Sequence, residues 1–228
     1  KSIAISELEK CRGDHDRMLK NVENLLEGER NIMNIKSFRL MNSAMFMQMW
    51  HSVNSKSNAV NDHMKSEDFK GFSEEFYKDL SPNIFEEGVP VAWRPFQLAF
   101  ILLNLDGVLE NAELDYEQRN NLVDLVWFPT GGGKTEAYLG LIGLTIISRR
   151  FKYASRGGGT AVIMRYTLRL LTLQQFQRAT QLIMALELIR RWEIYSLGNE
   201  VISSGLWVGD ASLPNKFRSS DQTSSEST

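Results

Sequence analysis

Residues 128–135, Phe-Pro-Thr-Gly-Gly-Gly-Lys-Thr, have the types and spacing needed to bind the phosphates of a nucleotide. An apolar run ending at Trp127 precedes them, and a helix-like apolar run from Ala137 to Ile147 follows. A strand, a glycine-rich turn and a helix in this order form a phosphate-binding loop. Glycines let backbone N–H groups turn towards phosphate oxygens, and the helix N-terminus adds unpaired N–H donors and the positive end of its dipole. The pattern therefore predicts a site for ATP.

Each residue of the loop has an expected task in that site. Lys134 should reach the β- and γ-phosphates, and the Thr135 hydroxyl should ligate Mg²⁺, so these two side chains would carry the chemistry. The glycines before them should close on the phosphates with their N–H groups: Gly131, Gly132 and Gly133. The alternative is a glycine-rich hairpin with a chance lysine, which the flanking strand and helix patterns disfavour.

The first position of the loop departs from the general pattern, which has a glycine where this chain has Phe128. With Pro129 and Thr130 before the glycines, the loop resembles the form found in superfamily 2 helicases and translocases, in which that glycine is usually replaced. The resemblance implies that Thr130 also belongs to the nucleotide site.

A second segment, Arg-Pro-Phe-Gln at residues 94–97, resembles the glutamine motif of the same superfamily. An amide offers one donor and one acceptor, so Gln97 could recognise adenine, and Arg94 or Phe96 could stack on the base. The other interpretation is a helix start with a proline in its first turn. We expect the adenine contact because a phosphate loop follows downstream.

The segment after the phosphate-loop helix has residue types suited to a nucleic-acid backbone. Arg165, Thr167 and Arg169 follow a strand-like run and lie where the next helix begins. In superfamily 2 proteins this place contacts phosphates, and Gln174 resembles the glutamine that often closes the motif. The alternative is that Arg165 and Arg169 form internal ion pairs.

The composition of the chain indicates which binding partners and which cellular compartment to expect. The net charge of −2 excludes a polycation, but nine basic residues stand between Arg149 and Arg191 against one acid, Glu187. Such a patch could follow phosphates, or it could be a solvated helix face paired with acids elsewhere. A single cysteine, Cys11, permits no internal disulfide and fits a cytoplasmic protein. The apolar runs are too short for a bilayer, so we expect no membrane association.

The order of elements predicts an α/β fold. Residues 1 to about 66 have helical apolar spacing and are rich in methionine, which is typical of an adaptable core or a docking face. The pattern after Trp93 predicts alternating elements: a helix at 96–105, a strand at 122–127, a helix at 134–150, a strand at 160–166, a helix at 170–192 and a strand at 205–208. This alternation implies a parallel sheet with crossover helices, preceded by an all-helical N-terminal region.

Several longer strings resemble one family, the DrmA helicase subunits of DISARM bacterial anti-phage systems. They span positions 38–209 and are residues 38–45, 93–100, 124–141, 164–179 and 205–209. The resemblance implies a RecA-like fold with two lobes, a DNA-directed ATPase that uses ATP and Mg²⁺, and a partner subunit, DrmB. The patterns along the chain, taken with this resemblance, predict three parts: a helical region and linker at 1–90, an incomplete first ATP-binding lobe at 91–217, and a flexible polar tail or loop at 218–228.

We therefore expect an ATP-dependent DNA helicase or translocase. Hydrolysis also needs an Asp-Glu pair that holds Mg²⁺ and arginine fingers from a facing lobe, and neither follows Val208. These 228 residues alone are therefore expected to show no turnover. One alternative is a nucleotide-dependent scaffold whose methionine-rich region docks a partner without unwinding DNA. A small-molecule phosphotransferase is disfavoured by the arginine-rich strand end.

Overall fold

The computed structural model describes residues 2–27, 31–54, 75, 92–109, 123–129, 131–166 and 169–207. Within these ranges we number the helices in chain order. They are α1 (Ser2–Glu27), α2 (Asn31–Asn54), α3 (Pro95–Leu103), α4 (Leu105–Val108), α5 (Lys134–Tyr153), α6 (Arg169–Trp192) and α7 (Ile194–Leu197), with a 3₁₀ turn at Ala154–Arg156. The helices expected at 96–105, 134–150 and 170–192 are confirmed as α3, α5 and α6, with slightly different ends.

The predicted α/β fold with a RecA-like parallel sheet is wrong. The described parts of all three predicted strands, 123–127, 160–166 and 205–207, carry no strand pairing. Side chains that a covered sheet would bury are instead open to solvent: Val123 is 92%, Leu125 82% and Trp127 92% exposed. Alternating apolar residues favour an extended backbone, but a sheet forms only where a second strand comes within hydrogen-bonding distance. In the described ranges these segments find no such neighbour.

The core is built where α2 packs against α5 and α6. Met41, Met45 and Met47 of α2 are buried there, among leucines and isoleucines of the other two helices. A β-carbon added to Gly143 of α5 would lie 3.5 Å from the Met41 side chain and 3.8 Å from that of Leu182 on α6, so the three helices meet at this glycine. Unbranched methionine side chains suit such an irregular junction. These three methionines therefore form core and are not available as a docking face.

Helix α1 is fixed to the rest of the fold by two polar side chains one turn apart. Arg17 bonds the carboxylates of Asp106, at 3.3 Å, and Asp124, at 2.9 Å. Asn21 donates to the carbonyls of Leu102, at 2.9 Å, and Leu103, which lie in the last turn of α3. Through Asp124, α1 also holds the segment that leads into residues 128–135.

Helix α3 is held close to α5 at Gly140. A β-carbon there would lie 2.8 Å from both Trp93 Cη2 and Ile101 Cδ1. The Trp93 ring cannot easily move, because its Nε1–H donates to Asn42 Oδ1 of α2 at 2.7 Å. The glycine therefore sets the distance at which the start of α5 and the start of α3 face each other.

Gly140→Ala and Gly143→Ala should change stability in opposite directions. Alanine favours a helix over glycine by up to about 1 kcal/mol, and the Gly143 site has room for a methyl group. At Gly140 overpacking against Trp93 should cost about 1–3 kcal/mol and outweigh that gain. Urea unfolding of both variants measures the difference, and equal stabilisation by the two substitutions would contradict the close contact.

Glu187 ties the end of α6 to the extended segment behind it. Arg190 donates to both carboxylate oxygens at 2.7 Å, Arg191 adds a bond at 3.1 Å and the Ile202 N–H adds another at 3.0 Å. The Arg190 hydrogen bonds, with those from Ile202 and Arg191, lower the pKa of Glu187 from 4.5 to about 2. Arg190 also donates to the Gly198 carbonyl. The Glu187 carboxylate and the Arg190 guanidinium together therefore connect the end of α6 to residues 198–202.

The stability of the fold should fall in acid partly through Glu187. Because its folded pKa of about 2 lies below the ordinary value of 4.5, its contribution is complete above about pH 4.5 and is lost as the pH falls towards 2. Glu187→Gln should therefore be less stable than the parent at pH 7, and the gap should close over that acid range. Urea unfolding between pH 2 and 7 measures the gap, with exposed Glu9→Gln as the control for removing one carboxylate. A gap that stays constant with pH would exclude the assignment.

Candidate nucleotide-binding site

The glycine turn, which is residues 131–133 before α5, has a backbone that favours glycine. Gly131 has φ +80° and Gly133 has φ +91°, both in the left-handed region. A β-carbon on Gly132 would lie 2.6 Å from the Phe128 ring. The Gly132 N–H donates to the Pro129 carbonyl at 3.1 Å. Each of the three glycines is therefore required by the geometry. The turn opens directly onto the N-terminus of α5, where unpaired N–H groups can bind an anion.

Lys134 and Thr135 begin α5, as a phosphate loop requires. The Lys134 ammonium folds back over the turn and donates to the carbonyls of Phe128 and, at 3.2 Å, Pro129. Thr135 is half-buried beside it. Thr130, which was also predicted to belong to the site, lies outside the described residues.

Arg94 and Gln97 reach the glycine turn from the start of α3. Arg94 Nη1 donates to the Gly132 carbonyl at 2.8 Å, and Gln97 Nε2 donates to the Gly133 carbonyl at 2.6 Å. Gln97 Oε1 accepts the Arg94 backbone N–H at 2.8 Å, and the side chain is only 3% exposed. One donor and one acceptor of the amide thus bond within the protein. The structure brings the two predicted segments together, and the adenine contact itself stays a prediction.

Phe96 meets the loop through its ring. It stacks on Phe128, with centroids 3.8 Å apart and planes 13° from parallel. The aromatic residue that replaces the first glycine of the general pattern is thus held by the neighbouring α3 segment. This contact could not be read from the sequence, where Phe96 was a candidate for stacking on a base.

The basic residues between 149 and 191 mostly bond within the fold. Arg149 donates to the carbonyls of Gly157 and Gly158, and buried Arg150 donates to Val201 O. Arg190 and Arg191 both bond Glu187. The pairing with acids weighed as the alternative thus holds for Arg190 and Arg191, whereas Arg149 bonds backbone carbonyls. Arg156 and Arg165 are exposed.

Of the predicted nucleic-acid contacts, the structure describes the side chains of Arg165 and Gln174. Exposed Arg165 lines an open cavity of about 1430 Å³ between the extended segments 160–166 and 201–207, and no residue of the glycine turn lines it. Gln174 is exposed on α6. Thr167 and the side chain of Arg169 lie outside the described part of the chain.

One pair of residues at the site was not predicted as a pair. Glu136, in the first turn of α5, forms an ion pair with Arg178 of α6. Partial burial lowers the pKa of the Arg178 guanidinium, which still stays protonated near neutral pH. Arg178 lies 42 positions after its partner, so no local signal in the sequence could have joined them.

The described residues contain neither a cluster of metal-binding side chains nor a helix that could span a membrane. No group of three or more His, Cys, Asp or Glu side chains there could hold a metal ion. The role of Thr135 as a Mg²⁺ ligand stays a prediction. No helix in the same ranges combines the length and the apolar character needed to cross a membrane. The cytoplasmic location expected from the sequence stays a prediction.

Comparison with known proteins gives one informative relative. No model of a protein family matches the chain. Over 216 residues the chain is 36% identical to DISARM protein DrmA of Bacillus paralicheniformis. The aligned region covers 91% of this chain and 17% of that protein. The chain is thus similar to one part of that protein, and it spans about a sixth of the length of the curated relative that it matches.

Gln97→Ala should weaken nucleotide binding about tenfold, because the turn loses the hydrogen bond to its Gly133 carbonyl and the start of α3 loses the bond to the Arg94 N–H. If Gln97 acts through the loop, ATP and GTP should lose affinity equally. Fluorescent ATP and GTP analogues titrated against the parent and the variant measure this, with exposed Gln177→Ala on α6 as the control. A loss confined to the adenine nucleotide would show base recognition instead.

Proposed function

We propose that this chain supplies the nucleotide-binding part of an ATP-dependent DNA helicase or translocase that belongs to a DISARM anti-phage system. The observation that carries the proposal is the glycine turn. Two left-handed glycines lead into Lys134 and Thr135 at the N-terminus of α5, and the turn is held from the side by Arg94 and Gln97. The likeness to DrmA supports membership of such a system.

The chain's own groups fit the phosphates of ATP. The ammonium of Lys134 bonds the carbonyls of Phe128 and Pro129, the two residues at the start of the loop. Phosphate oxygens would replace one or both of these carbonyls, since a bond between two charged groups is stronger than a bond to a neutral acceptor. The N–H groups at the start of α5 would bind the remaining oxygens, as helix N-termini do.

Thr135 would hold Mg²⁺ through its hydroxyl. The ion, when bound, offsets the charge of the β- and γ-phosphate oxygens. An Asp-Glu pair and arginine fingers are also needed for hydrolysis, and the sequence offers no such pair after Val208. The chain's proposed share of the reaction is therefore to bind and orient the nucleotide.

DNA and a second subunit, DrmB, are the proposed partners. Arg165, exposed at the rim of the cavity, and Arg169 at the start of α6 would contact DNA phosphates together with Thr167 and Gln174. Because much of the basic stretch bonds internally, the contribution of this chain to DNA affinity should come from few residues.

The test is ATP hydrolysis by the natural gene product that contains this sequence, with and without DNA. We expect stimulation by DNA, and we expect Lys134→Ala to abolish the stimulated rate because the γ-phosphate loses its cation. Gln177→Ala is the control. The isolated 228 residues should bind nucleotide without turnover.

DNA binding by the same protein gives a second readout. Arg165→Ala combined with Arg169→Ala should weaken binding across all sequences and reduce its salt dependence, since phosphate contacts release counterions. ATP binding without any stimulation by DNA, even with candidate partners added, would instead favour the nucleotide-dependent scaffold.

A further inference from the structure

We propose that Arg178 is a positioning residue of the phosphate loop. Its guanidinium neutralises the Glu136 carboxylate, and this allows the N-terminus of α5 to accept the phosphates of a nucleotide. The proposal rests on the nucleotide site described above and deepens it, because it assigns a task to a residue of α6 that has no place in the loop motif.

Glu136 lies against the last residue of the glycine turn. A β-carbon placed on Gly133 would be 3.4 Å from Glu136 Oε2 and 2.8 Å from Gln97 Nε2. The Glu136 side chain is only 15% exposed, so water screens its charge poorly. Its Oε1 is paired with Arg178, whereas Oε2 has no hydrogen-bond partner among the described residues.

An uncompensated carboxylate at this position would compete with a nucleotide. The end of a helix carries the equivalent of roughly half a positive charge, and a carboxylate in the first turn carries a whole negative one. Glu136 and a bound phosphate would draw on the same N–H groups and the same dipole. Pairing with Arg178 cancels the carboxylate and leaves the helix end attractive to anions.

The other cations near the turn have different partners. Lys134 donates to the carbonyls of Phe128 and Pro129, and Arg94 donates to that of Gly132. Arg178 is the cation that the structure pairs with Glu136, and it comes from α6, which also packs on α5. The charge balance of the loop therefore depends on a residue outside both predicted nucleotide segments.

The test is a double-mutant cycle in the natural gene product, read as affinity for a fluorescent ATP analogue. Arg178→Gln should weaken binding at least about tenfold, and the loss should shrink in high salt. Glu136→Gln should bind at least as tightly as the parent. The pair of substitutions together should return the affinity to within about threefold of the parent, since neither charge is then present.

Controls separate charge from folding. Arg191→Gln makes the same change near the other end of α6, where the side chain pairs with Glu187, and should leave nucleotide affinity unchanged. Thermal unfolding of each variant shows whether the fold is intact. If Arg178→Gln does not fold, Glu136→Gln still decides, because the proposal forbids weaker binding by that variant.

Three outcomes would overturn the proposal. One is parent-like affinity in Arg178→Gln, and another is a loss that Glu136→Gln fails to restore in the double variant. The third is weaker binding by Glu136→Gln alone, which would assign the carboxylate itself to the ligand. Lys134→Ala marks the level of a disabled site. A parent protein that binds the ATP analogue no better than Lys134→Ala would overturn the nucleotide site itself. A parent that binds, with no change in affinity in any variant of the double-mutant cycle, would overturn only the role of Arg178.

Discussion

The packing of α2 against α5 and α6 is the contact on which the rest of the structure depends. Met41, Met45 and Met47 are buried in this core, and Gly143 lies where the three helices meet. The direction of α5 is set by this core, and with it the place of the glycine turn at its N-terminus. Methionine adapts to an irregular junction because its side chain is unbranched and flexible.

The shape of the glycine turn is decided by groups on both sides of it. The left-handed angles of Gly131 and Gly133 come from the turn's own sequence, but its carbonyls are bonded by Arg94 and Gln97 of the α3 segment. That segment is in turn fixed to α2 through Trp93. A carbonyl bonded by a neighbour cannot rotate freely, so these two contacts restrict the backbone at Gly132 and Gly133.

Sequence reasoning succeeded where the signal is local. Helices α3, α5 and α6 were predicted because apolar spacing and the proline at the start of α3 act within a few residues. The sheet was predicted from equally local patterns at 123–127 and 160–166, yet pairing depends on a second segment far along the chain. The site follows the same rule. The glycines and Lys134 could be identified by spacing, whereas the partners of Gln97 and Glu136 are set by helix packing.

Charge is distributed so that little of it is left unbalanced inside the fold. Arg149 and Arg150 bond backbone carbonyls, Arg190 and Arg191 share Glu187, and Arg178 faces Glu136. Many of the basic residues between 149 and 191, which suggest a basic surface in the sequence, therefore form hydrogen bonds and ion pairs within the fold. The consequence for binding is that positive potential comes from a few defined places. At the glycine turn it comes from Lys134 and the N-terminus of α5, and the proposed role of Arg178 is to preserve it by pairing with Glu136.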